Sequence, residues 1–205
     1  STFASTGAAA TISPTVRSMS SNELEAGLES LALDMGLGYT DRLRANGPCL
    51  RQIKQYTEHY FFVRRAAQPS QDLMQIGPKI TWAEAAKHPL CLLTRDMHNR
   101  TIVDKAFQEA GQACEPVIQT NSILTLALSV AEGEVCTVMP GALVGAVRGY
   151  RELEALPLVS PEVRTTIGFM AQGGDPSRTL EAALALAEDA GWLRHAAAHS
   201  GLLSA

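Results

Sequence analysis

Apolar and polar positions along the chain recur with two periods, and most of the elements can be read from the change between them. Thr15-Val16-Arg17-Ser18-Met19 alternates and predicts a strand. Ser20 stands three residues ahead of Glu23, a capping-box pair, and Leu24, Leu28 and Leu31, with Ala32 beside them, supply the apolar stripe of the helix that follows. Asp34-Met35-Gly36-Leu37-Gly38-Tyr39 predicts a short buried strand whose glycines permit close backbone approach. Residues 53–64, around Tyr60-Phe61-Phe62-Val63, predict one longer strand. A short helix over 82–87 follows a Thr81 cap, and Leu90-Cys91-Leu92-Leu93 predicts a buried strand. That strand empties through a polar loop, residues 94–101, into a helix over 102–110. Ile102, Val103, Ala106 and Phe107 give this helix its spacing, and Gly111 closes it. Further on come a strand over 116–119 and a helix capped by Asn121 or Ser122 and stopped by Gly133. A strand over 135–139 ends at Pro140-Gly141, and a strand over 163–171 precedes an alanine-rich amphipathic helix over 180–192. Strands alternating with helices predict an α/β fold with mainly parallel sheets.

Two stretches rich in turn formers, Ala66-Ala67-Gln68-Pro69-Ser70 and Gln172-Gly173-Gly174-Asp175-Pro176, each follow a strand and predict crossings between subdomains. A chain that leaves one lobe at the first and returns at the second makes a two-lobed body with a double hinge. The cleft of such a body suits a small molecule.

Charge and composition narrow the function. The net charge is −4 with dispersed basic residues, and Arg64-Arg65 is the only adjacent pair. Gripping nucleic acid needs clustered Lys and Arg, so the chain by itself is a poor candidate for it. No apolar run reaches the roughly 20 residues that span a bilayer, and no charged n-region precedes an apolar core, which predicts neither membrane anchoring nor a signal peptide. Cys49, Cys91, Cys114 and Cys136 are widely spaced without a CxxC. Cys91 and Cys136 sit in apolar runs where a reduced thiol packs as a small hydrophobe, which suits a reducing cytoplasm; a redox pair is the alternative.

The loop Thr94-Arg95-Asp96-Met97-His98-Asn99-Arg100-Thr101 is the most suggestive chemistry. A loop that opens a helix presents unpaired N–H groups and a positive dipole end to a small anion, and Arg100 adds a fork of donors. The commoner role of such a junction is a plain helix cap with a solvated arginine. Other candidates are weaker. His195 and His199 have the spacing of two metal ligands on one helical face, but no third ligand matches them, so no zinc site is predicted. Gly173-Gly174 lacks the context of a phosphate loop. Glu23, Glu25 and Glu29 have no acid–base partner and read as a solvated face. No GxSxG, HExxH or GxxxxGK[ST] is present, and nothing argues for an enzyme or a cofactor.

At this level of detail the chain resembles the effector-binding portion of LysR-type transcriptional regulators. Asn22-Glu23-Leu24-Glu25-Ala26-Gly27-Leu28 followed by Asp34-Met35-Gly36-Leu37-Gly38-Tyr39 is similar to that family's first helix and its "D-x-G-[LIF]-[GT]" strand. Tyr56-Thr57-Glu58-His59-Tyr60-Phe61-Phe62-Val63 resembles its crossing strand, and His88-Pro89-Leu90 through Arg100 the start of its second lobe. Leu126-Ala127-Leu128, then Glu132-Gly133-Glu134-Val135 and Met139-Pro140, resemble its "L-V-x-x-G-x-G-[IV]…[LV]-P" unit, with Glu134 in place of the second glycine.

The resemblance implies two Rossmann-like lobes joined by two crossing strands, like periplasmic binding proteins. It divides the chain into residues 1–64 with 168–205, the first lobe, and residues 65–167, the second. It implies an effector in the interlobe cleft and a homodimer of this domain, with a homotetramer in the full-length protein. DNA would be reached only through a winged helix-turn-helix that this chain lacks, RNA polymerase is a further partner, and the setting is cytoplasmic. Carried over by position, the ligand-binding residues would be Ser20, Ser21, Asn22, Tyr39, Asn99, Arg100 and Thr101. "L-T-x-D-M-x-N-R" after "T-W-A-E-A" resembles members associated with formate dehydrogenase operons, which makes formate, or another very small carboxylate, the candidate effector. The family also has a strand and a long helix ahead of Thr15, for which residues 1–14 are too few. Part of the first lobe is therefore expected to be wanting there, with Ser1-Thr2-Phe3-Ala4-Ser5-Thr6 a remnant of a strand–helix loop. A stand-alone solute-binding protein of a transporter would share this fold and is the alternative.

Overall fold

A computed structural model describes residues 14–42 and 50–198. Cys49, His199 and residues 1–6 lie outside the described residues. The described chain runs α1 (Ser21–Glu29), β1 (Met35–Tyr39), a 3₁₀ turn (Thr40–Arg42), β2 (Leu50–Glu58), β3 (Tyr60–Arg65), β4 (Gln75–Ile76), β5 (Ile80–Thr81), α2 (Trp82–Ala85), β6 (Cys91–Leu93) and α3 (His98–Glu109). It continues with β7 (Ile118–Thr120), α4 (Ile123–Glu132), β8 (Thr137–Pro140), α5 (Gly141–Ala146), β9 (Leu153–Val159), β10 (Thr165–Gln172), α6 (Arg178–Glu188) and α7 (Ala190–Ala198).

Two sheets organise these elements into two lobes. The first has the order β1-β10-β2, both pairs antiparallel, with Leu37 opposite Phe169 and Thr165 opposite Glu58. Its core joins Ile53 and Ala171 to Leu184 and Ala187 of α6. Gly168 sits at a bulge in β10, and a Cβ there would stand 2.8 Å from the Ile53 carbonyl oxygen, so the close strand crossing requires glycine. The second sheet has β4, β9, β3 and β8 in order, with β5 also on β9, while β6 pairs with β7 alongside. The sheets are therefore mixed, not mainly parallel: β3 runs antiparallel to β8 and β9, and the parallel pairs are β4–β9, β5–β9 and β6–β7. The second lobe is covered on both faces. Tyr60, Phe62, Trp82, Phe107 and Leu156 pack on one face, and Phe61, Val63, Leu126, Val130 and Met139 on the other. That is why Tyr60-Phe61-Phe62-Val63 is apolar without alternation.

The caps form where the sequence placed them. Ser20 and Glu23 make the reciprocal capping box of α1, Thr81 and Glu84 that of α2, and Ser122 caps α4, which ends at Gly133. Several expectations are corrected. Residues 15–19 form no ladder and Val16 is 90% exposed; among the described residues no neighbouring strand completes the hydrogen bonds that an isolated strand lacks. Leu31 lies beyond the end of α1 at φ 60°, largely exposed, and Leu33 covers Gly27 instead. In β1 only Gly36 is buried. Residues 53–64 are two strands broken at His59, and they belong to different sheets. The chain passes between lobes there and again between Val159 and Thr165, not at the two turn-rich stretches, which stand at strand ends. The helix after β6 begins at His98, one turn earlier than its apolar spacing. The alanine-rich helix is two helices that meet at Asp189.

Candidate functional site

Two helix starts, one from each lobe, are joined through a single arginine. In the first lobe, the Ser20 N–H donates to Glu23 Oε2 at 2.7 Å and the Glu23 N–H to Ser20 Oγ at 3.3 Å. The Ser20 N–H and the Ser20 hydroxyl, both donating to Glu23 Oε2, hold the Glu23 carboxyl below its usual range. The N–H groups of Ser21 and Asn22 are first-turn donors without a helical acceptor. In the second lobe, α3 opens at His98 with Met97 in the cap position and no side-chain cap. Its own first-turn donors at His98 and Asn99 likewise have no helical acceptor.

One guanidinium spans the gap. Arg42, in the 3₁₀ turn after β1, donates through Nε to Glu25 Oε1 at 2.7 Å and through Nη2 to Asn22 Oδ1, both on α1. Its Nη1 meets His98 Nδ1 of α3 at 3.0 Å. Beside this contact, the Tyr39 ring meets the His98 ring edge-on with centroids 4.8 Å apart, and Asn99 Nδ2 donates to the Tyr39 hydroxyl at 3.4 Å. Burial pushes the Tyr39 phenol up, and the Asn99 bond opposes that.

Beneath lies a buried polar cluster on the crossing strands. Tyr60 and Thr165 share a hydrogen bond at 3.3 Å, and Tyr60 also bonds Tyr39. Glu58, 3% exposed, accepts from the Ala142 N–H at 2.9 Å. Burial drives its carboxyl up to about 7, against the backbone N–H groups of Ala142 and Gly141. Tyr56 and Tyr60 are raised by burial as well.

Of the residues expected from sequence, Tyr39 and Asn99 are in contact across the lobes, and Ser20, Ser21 and Asn22 form the start of α1. Arg100 is different. Its side chain is 1% exposed and bonded within its own lobe: Nε to Asp104 at 2.6 Å, and Nη1 to the Leu93 carbonyl at 2.8 Å and to Gln119 Oε1 at 3.1 Å. It is neither a loop residue nor solvated; it fastens α3 to β6 and β7. Thr101 is exposed on α3. Arg42, Glu58, Tyr60 and His98 were not anticipated. A charge inside the apolar run 56–63 was the available signal for Glu58, since an ionisable group there must be buried or break the pattern.

The other sequence candidates contribute no chemistry. Cys91, Cys114 and Cys136 are free. The Cys91 N–H donates to the Cys136 carbonyl at 2.8 Å, yet the two side chains pack on opposite faces of the second lobe, which removes the redox pair between them. Among the described residues no cluster of His, Cys, Asp and Glu could hold a metal, and no helix is long and apolar enough to cross a membrane.

Comparison with known proteins completes the description. The model of the LysR substrate binding domain family matches residues 8–192. A cysteine mutant of Corynebacterium glutamicum OxyR superposes with a TM-score of 0.68 at 17% identity, over 92% of this chain and 57% of that one. The effector-binding domain of QuiR in complex with shikimate gives 0.64 at 13% identity, over 87% and 78%. Full-length CbnR complexed with its target DNA gives 0.67 at 16% identity, over 89% and 59%. At these identities the likeness concerns the fold. The chain spans less than three fifths of the OxyR and CbnR chains. No curated protein matches it in sequence.

Proposed function

The chain belongs to the LysR substrate-binding domain family, and from that premise we propose that it senses a small carboxylate, formate being the candidate, in the cleft between its lobes. It is an effector-binding domain of the LysR type, a class of transcriptional regulators rather than enzymes. The reading as a transporter's solute-binding protein has no support in the match. The observation that carries the ligand class is the convergence of two helix N-termini from opposite lobes within reach of one guanidinium, with α3 uncapped by any side chain. Unpaired N–H groups and two positive dipole ends suit a compact anion. QuiR is bound to shikimate, itself a carboxylate.

In this reading Ser20, Ser21, Asn22, Tyr39 and Asn99 line the site. Arg100 and Thr101 take part only through the start of α3, because the Arg100 fork is turned into its own lobe. The passages between lobes are set at His59 and between Val159 and Thr165, in place of the implied bounds at 64/65 and 167/168. The domain acts in the cytoplasm as a homodimer, and as a homotetramer in the intact regulator, which reaches DNA only through a domain outside this chain and has RNA polymerase as a further partner. CbnR is the neighbour seen on DNA.

The test is a titration of the isotopically labelled chain with formate, acetate and an aromatic acid, followed by amide chemical shifts. The expected shifts fall on Ser21, Asn22, His98 and Asn99. A three-heavy-atom ligand at about 1.5 kcal/mol per atom cannot bind more tightly than roughly 0.5 mM, so millimolar affinity for formate is expected. Asn99→Ala should weaken binding about tenfold, the scale of one hydrogen bond. Acids that leave these four amides unmoved, or that bind Asn99→Ala as well as the unaltered chain, refute the placement.

A further inference from the structure

The Arg42–His98 contact does something that neither the fold nor the effector requires. It is a side-chain link from the 3₁₀ turn of the first lobe to the first turn of α3 in the second, and its geometry fixes a protonation state. A guanidinium offers only donors. Nη1 lies 3.0 Å from His98 Nδ1, so that nitrogen must present its lone pair and the imidazole must be neutral with its proton on Nε2. A proton on Nδ1 would set N–H against N–H and a second cation against Arg42.

We propose that Arg42 and His98 form a proton-gated clasp between the lobes, closed while His98 Nδ1 is bare and opened when it is protonated. The surroundings fit such a gate. Burial first, and Arg42 second, hold His98 below its ordinary 6.5, while Asp41 and Glu25 pull the other way. Arg42 is already anchored on α1 by Glu25 and Asn22, so the proton on His98 removes this one interlobe bond and leaves Arg42 on its own lobe. Tyr39, the other group packed on the imidazole, has its phenol raised and stays neutral throughout. Across the same gap Glu23 feels Asp96 as a like charge, so a repulsion works against closure once the clasp is undone. The Glu23 carboxyl is held below its ordinary 4.5, clear of the histidine. The gate is independent of which effector the cleft takes.

The experiment uses the 205-residue chain without effector. The His98 ring ¹⁵N shifts report its tautomer and its titration midpoint, and residual dipolar couplings report the relative orientation of the lobes. At pH 8 the expected result is an Nε2–H tautomer and one fixed orientation. As pH falls through the His98 midpoint, below 6.5, the couplings of one lobe relative to the other should shrink together. His98→Asn places an acceptor oxygen that does not titrate where Nδ1 stands, and should keep the lobes fixed through the same range. Arg42→Gln should leave them mobile at pH 8. Glu58→Gln and His59→Asn control for the buried carboxyl and for the histidine at the passage between the lobes, and each should leave the transition in place. An Nδ1–H tautomer at pH 8, lobes whose orientation ignores the proton, or a transition that persists in His98→Asn or vanishes in Glu58→Gln or His59→Asn overturns the proposal.

Discussion

Glu58→Gln should change how the stability of this domain depends on pH, and the structure sets both sign and size. The carboxyl is buried among Tyr39, Tyr56 and Tyr60 and accepts from the Ala142 N–H, and burial raises it from 4.5 to about 7. Between these values the folded chain holds a proton that the unfolded chain releases. Stability is therefore lost as pH rises from about 4.5 through 7. About 2.5 units at 1.36 kcal/mol each put the full loss near 3 kcal/mol, of which roughly 2.5 kcal/mol falls between pH 5 and pH 8. For a domain of this length that is about 5–10 °C in melting temperature.

His59 and His98 act in the opposite direction. Burial lowers both, so their contribution rises as pH climbs towards 6.5 and partly masks Glu58 in the unaltered chain. The difference between the unaltered chain and Glu58→Gln cancels the histidines. Glutamine keeps an acceptor for the Ala142 N–H and does not ionise, so the two proteins should be similar at pH 5 and the variant should gain steadily above it. The measurement is urea denaturation of both proteins from pH 5 to 8. Parallel profiles would mean that Glu58 ionises freely in the fold, and a variant that falls behind as pH rises would mean that its charge is stabilised by a partner; either result refutes the reasoning.

Two further outcomes follow from the same geometry. Arg100→Ala should cost about 2–3 kcal/mol in urea denaturation, because it removes charged hydrogen bonds to Asp104, Leu93 and Gln119, and Arg100→Lys should recover only part because lysine lacks the planar fork; unchanged stability in Arg100→Ala would return this residue to the ligand. Val117 and Ile118 with Ile123, Leu124 and Leu128 expose an apolar stripe along β7 and α4, Val117 at 64% and Leu124 at 63%, so Leu124→Glu with Leu128→Glu should turn a dimer into a monomer in sedimentation, and a dimer that persists would place the contact elsewhere.

The elements that sequence reveals here are those whose signal is local. Ser20 with Glu23 and Thr81 with Glu84 are pairs three residues apart, and the bonds they make are made within that span. Sheet membership is not local. Nothing within residues 53–64 says that the chain changes sheets at His59, since both strands are apolar enough to continue. β9, Leu-Glu-Ala-Leu-Pro-Leu-Val, does not stand out in sequence, since a proline argues against an interior strand. Its neighbours explain the exception: β4 pairs with Glu154 and Ala155, β5 with Leu158 and Val159, and Pro157 falls in the gap between them. α3 starts one turn ahead of its apolar spacing for a related reason. His98, Asn99, Arg100 and Thr101 carry no apolar stripe, because two of them face the other lobe and Arg100 is buried through hydrogen bonds instead of through apolar surface.

The site itself was half legible, and the missing half decides how an anion would be met. An arginine after a strand looks like a ready counter-ion, but Arg100 is matched inside its lobe by Asp104 and two carbonyl-type oxygens. The guanidinium that does reach the cleft, Arg42, comes from a turn 56 residues away from its partner His98, and it is already paired with Glu25. Among the described residues, Arg42 and Arg100 thus each already have an anion, and Glu58 adds a carboxyl of its own beneath Arg42. A carboxylate effector in this arrangement must be held by helix-start N–H groups and neutral donors such as Asn99. Those contribute a few tenths to about 1.5 kcal/mol each, so affinity grows with the number of donors engaged and not with one dominant ion pair. Under the proposed function, the discriminating property would be the number of these donors an acid engages at once, across both lobes.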